Sequence, residues 1–197
     1  AWYTAKRGAK NIFVHFHSYP QTDRASQENV HDLARELTTW QGKSTLYMVP
    51  LLNIQEKIVA DCPKKLRVVL YRRMMIRIAE KIAQKENAKA LVTGESIGQV
   101  ASQTLENIRA ISQVTELPIL RPLIGMDKQE IVDKAKKIGT YNISIKPYQD
   151  CCSLFVPDHP ETRTALKEVQ EAEKTLDIEN LITTALETTT HETLSPS

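Results

Sequence analysis

The sequence predicts an α/β protein in which a mainly parallel sheet carries helices on both faces. Short β-branched and aromatic runs, the first from Asn11 to Ser18, alternate along the chain with stretches of helical periodicity. Such alternation favours parallel strands joined by right-handed crossovers. Ligands of these folds bind at the carboxyl ends of the strands, so the residues that follow each predicted strand are candidate functional residues.

The composition is typical of a soluble globular protein. The 197 residues suffice for one full domain. The chain is 41% hydrophobic and 25% charged, and no apolar run reaches the roughly 20 residues of a membrane span. It shows no secretion signal. We therefore expect a cytoplasmic protein without a membrane partner.

The first half of the chain predicts two strands and two helices. After the strand that begins at Asn11, apolar residues at three- and four-residue steps predict an amphipathic helix that ends at Gly42. A second strand follows from Thr45 to Val49. A long helix is then predicted by apolar residues at every fourth position, namely Leu66, Leu70, Met74, Ile78 and Ile82.

The second half repeats the alternation. A short buried strand at 90–93 ends at Gly94, a helix runs to about Ile111, and another extended segment covers 118–123. Asp127 and Glu130 form an N-terminal capping pattern for a helix that ends before Gly139. Two further helical patterns follow residue 161, and the polar residues 188–197 are predicted to be disordered.

Charge is distributed unevenly. Residues 63–85 contain eight Lys or Arg and one acid, Glu80, whereas residues 160–197 contain eight acids and three bases. A basic segment favours a polyanionic partner, although a solvated helix face explains it equally well.

The loop at residues 94–104 follows a predicted strand and precedes a predicted helix. Gly94 and Gly98 allow the backbone to approach a ligand closely, and the N–H groups at the start of the helix favour a phosphate. Glycines that merely terminate a turn would give the same pattern, so the loop alone leaves both interpretations open.

The amino-acid sequence of this loop is more specific than its position. Residues 93–104, Thr-Gly-Glu-Ser-Ile-Gly-Gln-Val-Ala-Ser-Gln-Thr, resemble the signature loop of the tRNA 4-thiouridine synthetases, also called tRNA sulfurtransferases. Further segments on both sides of the loop resemble the family and occur in the same order as in the family. They lie at residues 15–18, 71–75, 121–123, 127–128 and 150–152. The resemblance covers roughly residues 1–155.

The resemblance implies a PP-loop ATP pyrophosphatase domain, like the adenine nucleotide alpha hydrolases, over residues 1–155. C-terminal helices at 156–187 would extend it. The implied activity is ATP-dependent sulfur transfer to a tRNA uridine, with Mg²⁺, in which the uracil oxygen is adenylated and a persulfide sulfur then displaces AMP. The family also supplies sulfur for the thiazole of thiamine. The implied partners are tRNA, a cysteine desulfurase or other persulfide donor, and a second copy of the chain in a homodimer.

By the same resemblance, five residues contact ATP: His15 and Phe16 at the adenine, Arg72 at the phosphates or ribose, and Gly94 and Gln103 elsewhere on the nucleotide. Their chemistry is compatible, since an aromatic face suits a purine and a guanidinium suits phosphate oxygens. Each also has an ordinary alternative, as a core aromatic, a strand histidine or a surface arginine.

Two more arginines, Arg73 and Arg77, are predicted to contact tRNA phosphates, with a solvated helix face as the alternative. Glu95, inside the loop, suits either a water or metal contact or the helix N-terminus.

Cys151 and Cys152 are adjacent, and their Cα atoms, about 3.8 Å apart, are too close for an unstrained disulfide. The resemblance assigns one of them, Cys151 in our alignment, to persulfide attack or resolution, which needs an exposed thiolate in a positive environment. A buried, unreactive cysteine is the alternative. Cys62 is expected to be incidental.

One departure from the family leaves a second function open. The Ser-Gly-Gly-x-Asp-Ser loop that binds pyrophosphate in such enzymes does not occur, and residues 1–8 resemble the helix that follows it. We therefore expect the first strand and that loop to be missing. A non-catalytic adenine-nucleotide-binding module is the alternative function, and a different PP-loop enzyme is disfavoured by residues 94–104. A dinucleotide oxidoreductase is disfavoured because no Gly-x-Gly-x-x-Gly turn is present.

Overall fold

The computed structural model describes residues 1–151, 154–157 and 159–196. The chain divides into two compact units. The first comprises Ala1–Pro50, Met126–Cys151 and Thr188–Ser197, and the second comprises Leu51–Gly125 and Cys152–Glu187. This differs from the predicted domain at 1–155 with an appended helical extension, because the chain leaves the first unit at residue 51 and returns to it twice.

The first unit contains a three-stranded sheet in the order β1, β2, β5. Strand β1 (Phe13–His17) runs parallel to β2 (Ser44–Pro50), with Phe13 opposite Leu46. Strand β5 (Thr190–Leu194) pairs antiparallel with the other side of β2. The α/β class is therefore confirmed, but the sheet is small and mixed and not the mainly parallel one predicted.

Four helices belong to the first unit: α1 (Trp2–Ala5), α2 (Ala25–Gln41), α6 (Lys128–Lys137) and α7 (Tyr141–Ser144). Helix α2 ends at Gly42, whose φ of 79° is left-handed, as predicted for a glycine at this position. The predicted capping box of α6 is also present: Asp127 and Glu130 each accept the other's backbone N–H at 2.9 Å.

The segment predicted to be disordered contains a strand. Residues 190–194 form β5, and Leu194, only 4% exposed, packs in a cluster with Ala34 and Leu46. The pairing supplies backbone partners along one side of β2, which would otherwise be an open sheet edge. The polar composition was misleading because one buried leucine and a row of backbone hydrogen bonds are enough to hold this strand.

The second unit is built around one long helix, α4 (Arg67–Lys85). The predicted apolar stripe on α4 is confirmed, because Leu70, Met74, Ile78 and Ile82 are all buried. Four helices pack against it: α3 (Leu52–Asp61), which the sequence analysis missed, α5 (Leu105–Ser112), α8 (Leu166–Glu173) and α9 (Ile178–Glu187). The C-terminal helices thus complete the core of this unit.

Two short parallel strands lie beside these helices. Strand β3 (Leu91–Val92) pairs with β4 (Ile119–Leu120), with Leu91 opposite Ile119. Across the described part of the chain, no helix has both the length and the hydrophobicity needed to cross a membrane.

The burial of Leu194 predicts a measurable contribution from β5. Leu194→Ala should lower the free energy of unfolding by about 2–4 kcal/mol, because it removes buried methyl groups and leaves a cavity. Thr193→Ala, at an exposed neighbouring position, is the matched control and should change stability by less than about 0.5 kcal/mol. Urea titration followed by circular dichroism measures both, and equal stability of the two variants would mean that residues 190–194 do not pack as a strand.

Candidate functional site

The carboxyl ends of β3 and β4 lie side by side in the second unit. The backbone N–H of Thr93 donates to the carbonyl of Leu120 at 3.0 Å, and that of Ile97 donates to the carbonyl of Ile124 at 3.1 Å. The loops after the two strands are therefore held together, as expected for a ligand site at parallel strand ends.

Glu95, in the first of these loops, is the centre of a charged cluster. The residue is 6% exposed. Its Oε1 accepts from Nη1 of Arg72 at 3.1 Å, and its Oε2 accepts from Nε of Arg121 at 2.6 Å and from Oγ1 of Thr93 at 2.9 Å. One carboxylate thus holds two guanidinium groups, so the cluster keeps a net positive charge.

Two residues predicted to contact the nucleotide carry buried polar atoms without a partner in this unit. Nε of Arg72 and Oε1 of Gln103 are buried, and neither has a hydrogen-bond partner among the described residues. Buried polar groups are normally satisfied, so each exception calls for an explanation such as a bound water, ion or ligand. The sequence could not reveal this feature, because it depends on which partners the fold supplies.

The glycine loop has the conformation that its two glycines predict. Gly98 has a φ of 75°, which disfavours other residues, and its N–H donates to the carbonyl of Gln103 at 3.0 Å. A Cβ added at Gly94 would meet nothing within 4 Å, so the space beside this backbone is open to a ligand.

Asn107, which the sequence analysis missed, fixes the end of this loop. It is completely buried, and its Nδ2 donates to the carbonyls of Ala101 at 2.9 Å and Glu161 at 2.7 Å. Its Oδ1 accepts from the backbone N–H of Thr164 at 3.1 Å. The available signal was an amide on the inner side of α5, three residues after the N-cap Thr104.

His15 and Phe16, the predicted adenine contacts, are partly buried in β1 of the first unit. Burial lowers the pKa of His15 to about 4, helped by the charge of His17 and opposed by Asp150, so His15 is neutral at pH 7. Its Nε2 is buried without a hydrogen-bond partner in the described part of the chain. A third predicted nucleotide contact therefore has an unused polar atom.

The cysteine segment is only partly described. Cys151 is 7% exposed, which differs from the exposed setting expected for a reactive thiolate. Cys152 lies outside the described residues. Cys62 is buried as well, and burial raises the pKa of its thiol, in keeping with the incidental role expected for it.

The structure places both arginines predicted to contact tRNA, Arg73 and Arg77, on one carboxylate of the second unit, and their tRNA contacts stay predictions. Arg73 is 3% exposed, and its Nε and Nη2 donate to the two oxygens of Glu173 at 2.8 and 2.6 Å. Arg77 donates to the same carboxylate at 2.6 and 2.9 Å. Both guanidinium groups are occupied inside the fold because α8 brings a buried acid against α4, which the charge count of residues 63–85 could not show.

Glu173 is ionised by these contacts. Burial by itself raises the pKa of this carboxyl, but hydrogen bonds from Arg73 and Arg77 and their positive charges outweigh it and lower the pKa below its ordinary value.

Strand ends that meet beside a glycine loop and a positively charged cluster define an α/β protein with a candidate site for an anionic ligand. The family follows from comparison with known proteins. Residues 1–178 match the model of the thiamine biosynthesis protein (ThiI) family, and the chain belongs to this family.

Curated relatives carry a more specific name. The chain is 49% identical to the probable tRNA sulfurtransferase of Moorella thermoacetica over 97% of its own length and 49% of the relative's. It is 50% identical to that of Thermus thermophilus over 94% of its length and 46% of the relative's. The chain thus spans about half the length of the curated relatives it matches.

A solved structure has the same fold. The crystal structure of a 4-thiouridine synthetase–RNA complex with bound ATP matches 98% of this chain and 51% of its own, with a TM-score of 0.94 and 44% sequence identity.

The buried ion pairs of Glu173 predict a large and pH-dependent effect on stability. Glu173→Gln should cost about 3–5 kcal/mol at pH 7, because the buried guanidinium of Arg73 and the partly buried one of Arg77 lose their counter-charge. Since the folded state lowers the pKa of Glu173, its contribution is present above the ordinary pKa near 4.5 and lost as the pH falls below it.

The control is Glu171→Gln, which removes an exposed pair with Lys174 and should cost at most about 1 kcal/mol. Urea titrations at pH 7, 5 and 4 measure both variants. A Glu173→Gln cost as small as that of Glu171→Gln at pH 7 would contradict the assignment of Arg73 and Arg77 to this carboxylate.

Proposed function

We propose that this chain carries the adenine-nucleotide site of an ATP-dependent tRNA sulfurtransferase with a PP-loop fold. The enzyme adenylates a uracil oxygen of tRNA with release of pyrophosphate. The outer sulfur of a persulfide then displaces AMP, and a second thiol attacks the inner sulfur, which releases 4-thiouridine and leaves a disulfide. The same sulfur supply serves the thiazole of thiamine. Three facts support the proposal: the family, the names of the curated relatives, and the likeness to a 4-thiouridine synthetase that was crystallised with RNA and ATP.

The observation that carries the nucleotide assignment is the set of unpartnered buried atoms. His15 Nε2, Arg72 Nε and Gln103 Oε1 are all without a hydrogen-bond partner among the described residues. The family resemblance had assigned these three side chains, with Phe16 and Gly94, to ATP. A bound nucleotide would supply the partners that Arg72 and Gln103 lack in the second unit, and an unpaired buried polar group otherwise costs about 1–3 kcal/mol.

Each residue has a definite task in this proposal. His15, kept neutral by burial, and Phe16 contact the uncharged adenine. Arg72 contacts a phosphate group, and the open backbone at Gly94 allows close approach of the nucleotide. Charge that develops on the phosphates is stabilised by the fixed positive cluster around Glu95.

The resemblance also implies Mg²⁺, and the described residues were compared with the ligands that this ion needs. Among the residues that the structure describes, no group of three or more His, Cys, Asp or Glu side chains is arranged to hold a metal ion. Glu95 accepts three hydrogen bonds from side chains and does not fit that task. Mg²⁺ in nucleotide sites is bound largely by substrate phosphates and water.

The sulfur step is assigned to Cys151, with Cys152 as its neighbour in the chain. A thiolate must be reached by the persulfide donor, which a cysteine desulfurase would supply. Cys151 is buried in the structure, so its reaction requires the segment around 151 to open. tRNA is the proposed acceptor, and the homodimer and the cytoplasmic location stay predictions.

A non-catalytic nucleotide-binding module is the second candidate. Both candidates need the same nucleotide contacts, and they differ in whether AMP and pyrophosphate are formed.

Nucleotide binding is the first prediction of this proposal. Arg72→Gln should weaken ATP binding about tenfold to a hundredfold, because a charged hydrogen bond contributes about 1.5–3 kcal/mol. Arg109→Gln, at an exposed position of α5, is the control and should bind like the parent. Calorimetric titration with ATP measures both, and equal affinities of the two variants would remove Arg72 from the site.

Sulfur transfer gives the second prediction. Where the parent protein forms 4-thiouridine in tRNA, Cys151→Ser should abolish product while adenylation still releases pyrophosphate, because only the thiol is lost. Cys62→Ala serves as the control and should retain activity. Thiolation by Cys151→Ser at the parent rate would refute its role, and an absence of ATP turnover in the parent would favour the binding module.

A further inference from the structure

Among the described residues, one nitrogen of the Arg72 guanidinium has a hydrogen-bond partner. Nη1 donates to Glu95, Nε is buried without a partner, and Nη2 also has no partner among the described residues. The N–H groups of Nε and Nη2 point the same way and form the two-pronged edge of the side chain, which matches two oxygens of a carboxylate or phosphate.

The neighbouring arginine shows this edge in use. Arg73 places Nε and Nη2 on the two oxygens of Glu173, at 2.8 and 2.6 Å. Arg72, one residue earlier on α4, has the same edge, and in the described part of the chain nothing accepts from it. The difference between the two arginines is therefore the missing pair of oxygens.

Glu95 is itself fixed from the other side. Oγ1 of Thr93 and Nε of Arg121 donate to its Oε2 at 2.9 and 2.6 Å. Arg121 also donates from Nη2 to Oγ of Ser112 at 2.7 Å and from Nη1 to the carbonyl of Ile119 at 3.4 Å. All three nitrogens of Arg121 therefore donate inside the second unit, and this guanidinium supports Glu95.

We propose that Glu95 is a positioning residue, which holds Arg72 by Nη1 so that its Nε–Nη2 edge takes two oxygens of one phosphate of the nucleotide. The inference rests on the proposed nucleotide site and adds the edge that binds and the residue that orients it. One carboxylate against two guanidinium groups leaves one positive charge, which the phosphate neutralises. Without Glu95 the arginine keeps its charge and loses its orientation.

The test separates phosphate recognition from binding of the nucleoside. Calorimetry gives the Kd of adenosine and of AMP for the same protein. The ratio of the adenosine Kd to the AMP Kd measures how much the phosphate adds to the affinity. Glu95→Gln keeps the size of the side chain and weakens the hold on Nη1, so the ratio should fall about tenfold, with adenosine affinity retained. A purely structural loss would weaken adenosine and AMP alike and leave the ratio unchanged.

The matched control is Glu173→Gln, which removes the other buried carboxylate with two arginine partners in the same unit. It should lower the unfolding temperature without changing the ratio. Arg72→Lys keeps the charge, removes the two-pronged edge and leaves Glu95 intact, so it tests the edge even if Glu95→Gln folds poorly. Its ratio should fall at least about tenfold, and the double variant should lose nothing further.

Three results would overturn the proposal. The first is a Kd ratio in Glu95→Gln equal to that of the parent protein, and the second is the same result in Arg72→Lys. The third is a fall of the Kd ratio in Glu173→Gln as large as the fall in Glu95→Gln. A parent protein that binds ATP but shows one of these results refutes the positioning role and keeps the proposed function. A parent protein that binds neither AMP nor ATP overturns both.

Discussion

The structure of the second unit depends on the pairing of the buried and partly buried arginines on helix α4. An unpaired buried charge is too costly to keep, so each guanidinium needs an acid or another acceptor in the fold. Glu173 provides this for Arg73 and Arg77, and Glu95 provides it for Arg72. Helix α8 and the glycine loop are thus tied to the same helix by carboxylates of one kind.

The two carboxylates have different consequences for function. At Glu173 four hydrogen bonds from Arg73 and Arg77 engage both carboxylate oxygens, and the result is a stable internal contact. At Glu95 the bonding is incomplete, because Arg72 keeps a buried Nε without a partner among the described residues. The candidate anion site lies at Arg72, where the pairing with a carboxylate leaves guanidinium N–H groups without an acceptor among the described residues.

Local patterns predicted the elements that depend on neighbouring residues in the chain. The stripe on α4, the glycine at the end of α2 and the capping box of α6 all lie within one or a few helical turns, and all are present. Strand β5 was not predictable in this way, because it exists only through pairing with β2, more than a hundred residues earlier.

The same limit applies to the candidate site, where residues that depend on distant partners were not predictable. The loop residues and Arg72 came from resemblance to a family, which carries the spacing of a known fold. The fate of Arg73 and Arg77 depended on Glu173, about a hundred residues later in the sequence. Asn107 was missed for a similar reason, since its partners at 161 and 164 are not its neighbours in the chain.

In this proposal the unpaired edge of Arg72 receives a nucleotide phosphate. The most direct test is to follow the NMR signal of the Arg72 Nε–H. On addition of AMP, with adenosine as the comparison, the Arg72 Nε–H resonance should move strongly and exchange more slowly with water, while that of Arg73 stays in place. If the Arg72 resonance responds to AMP no more than to adenosine, the phosphate binds elsewhere and the account of this site is wrong.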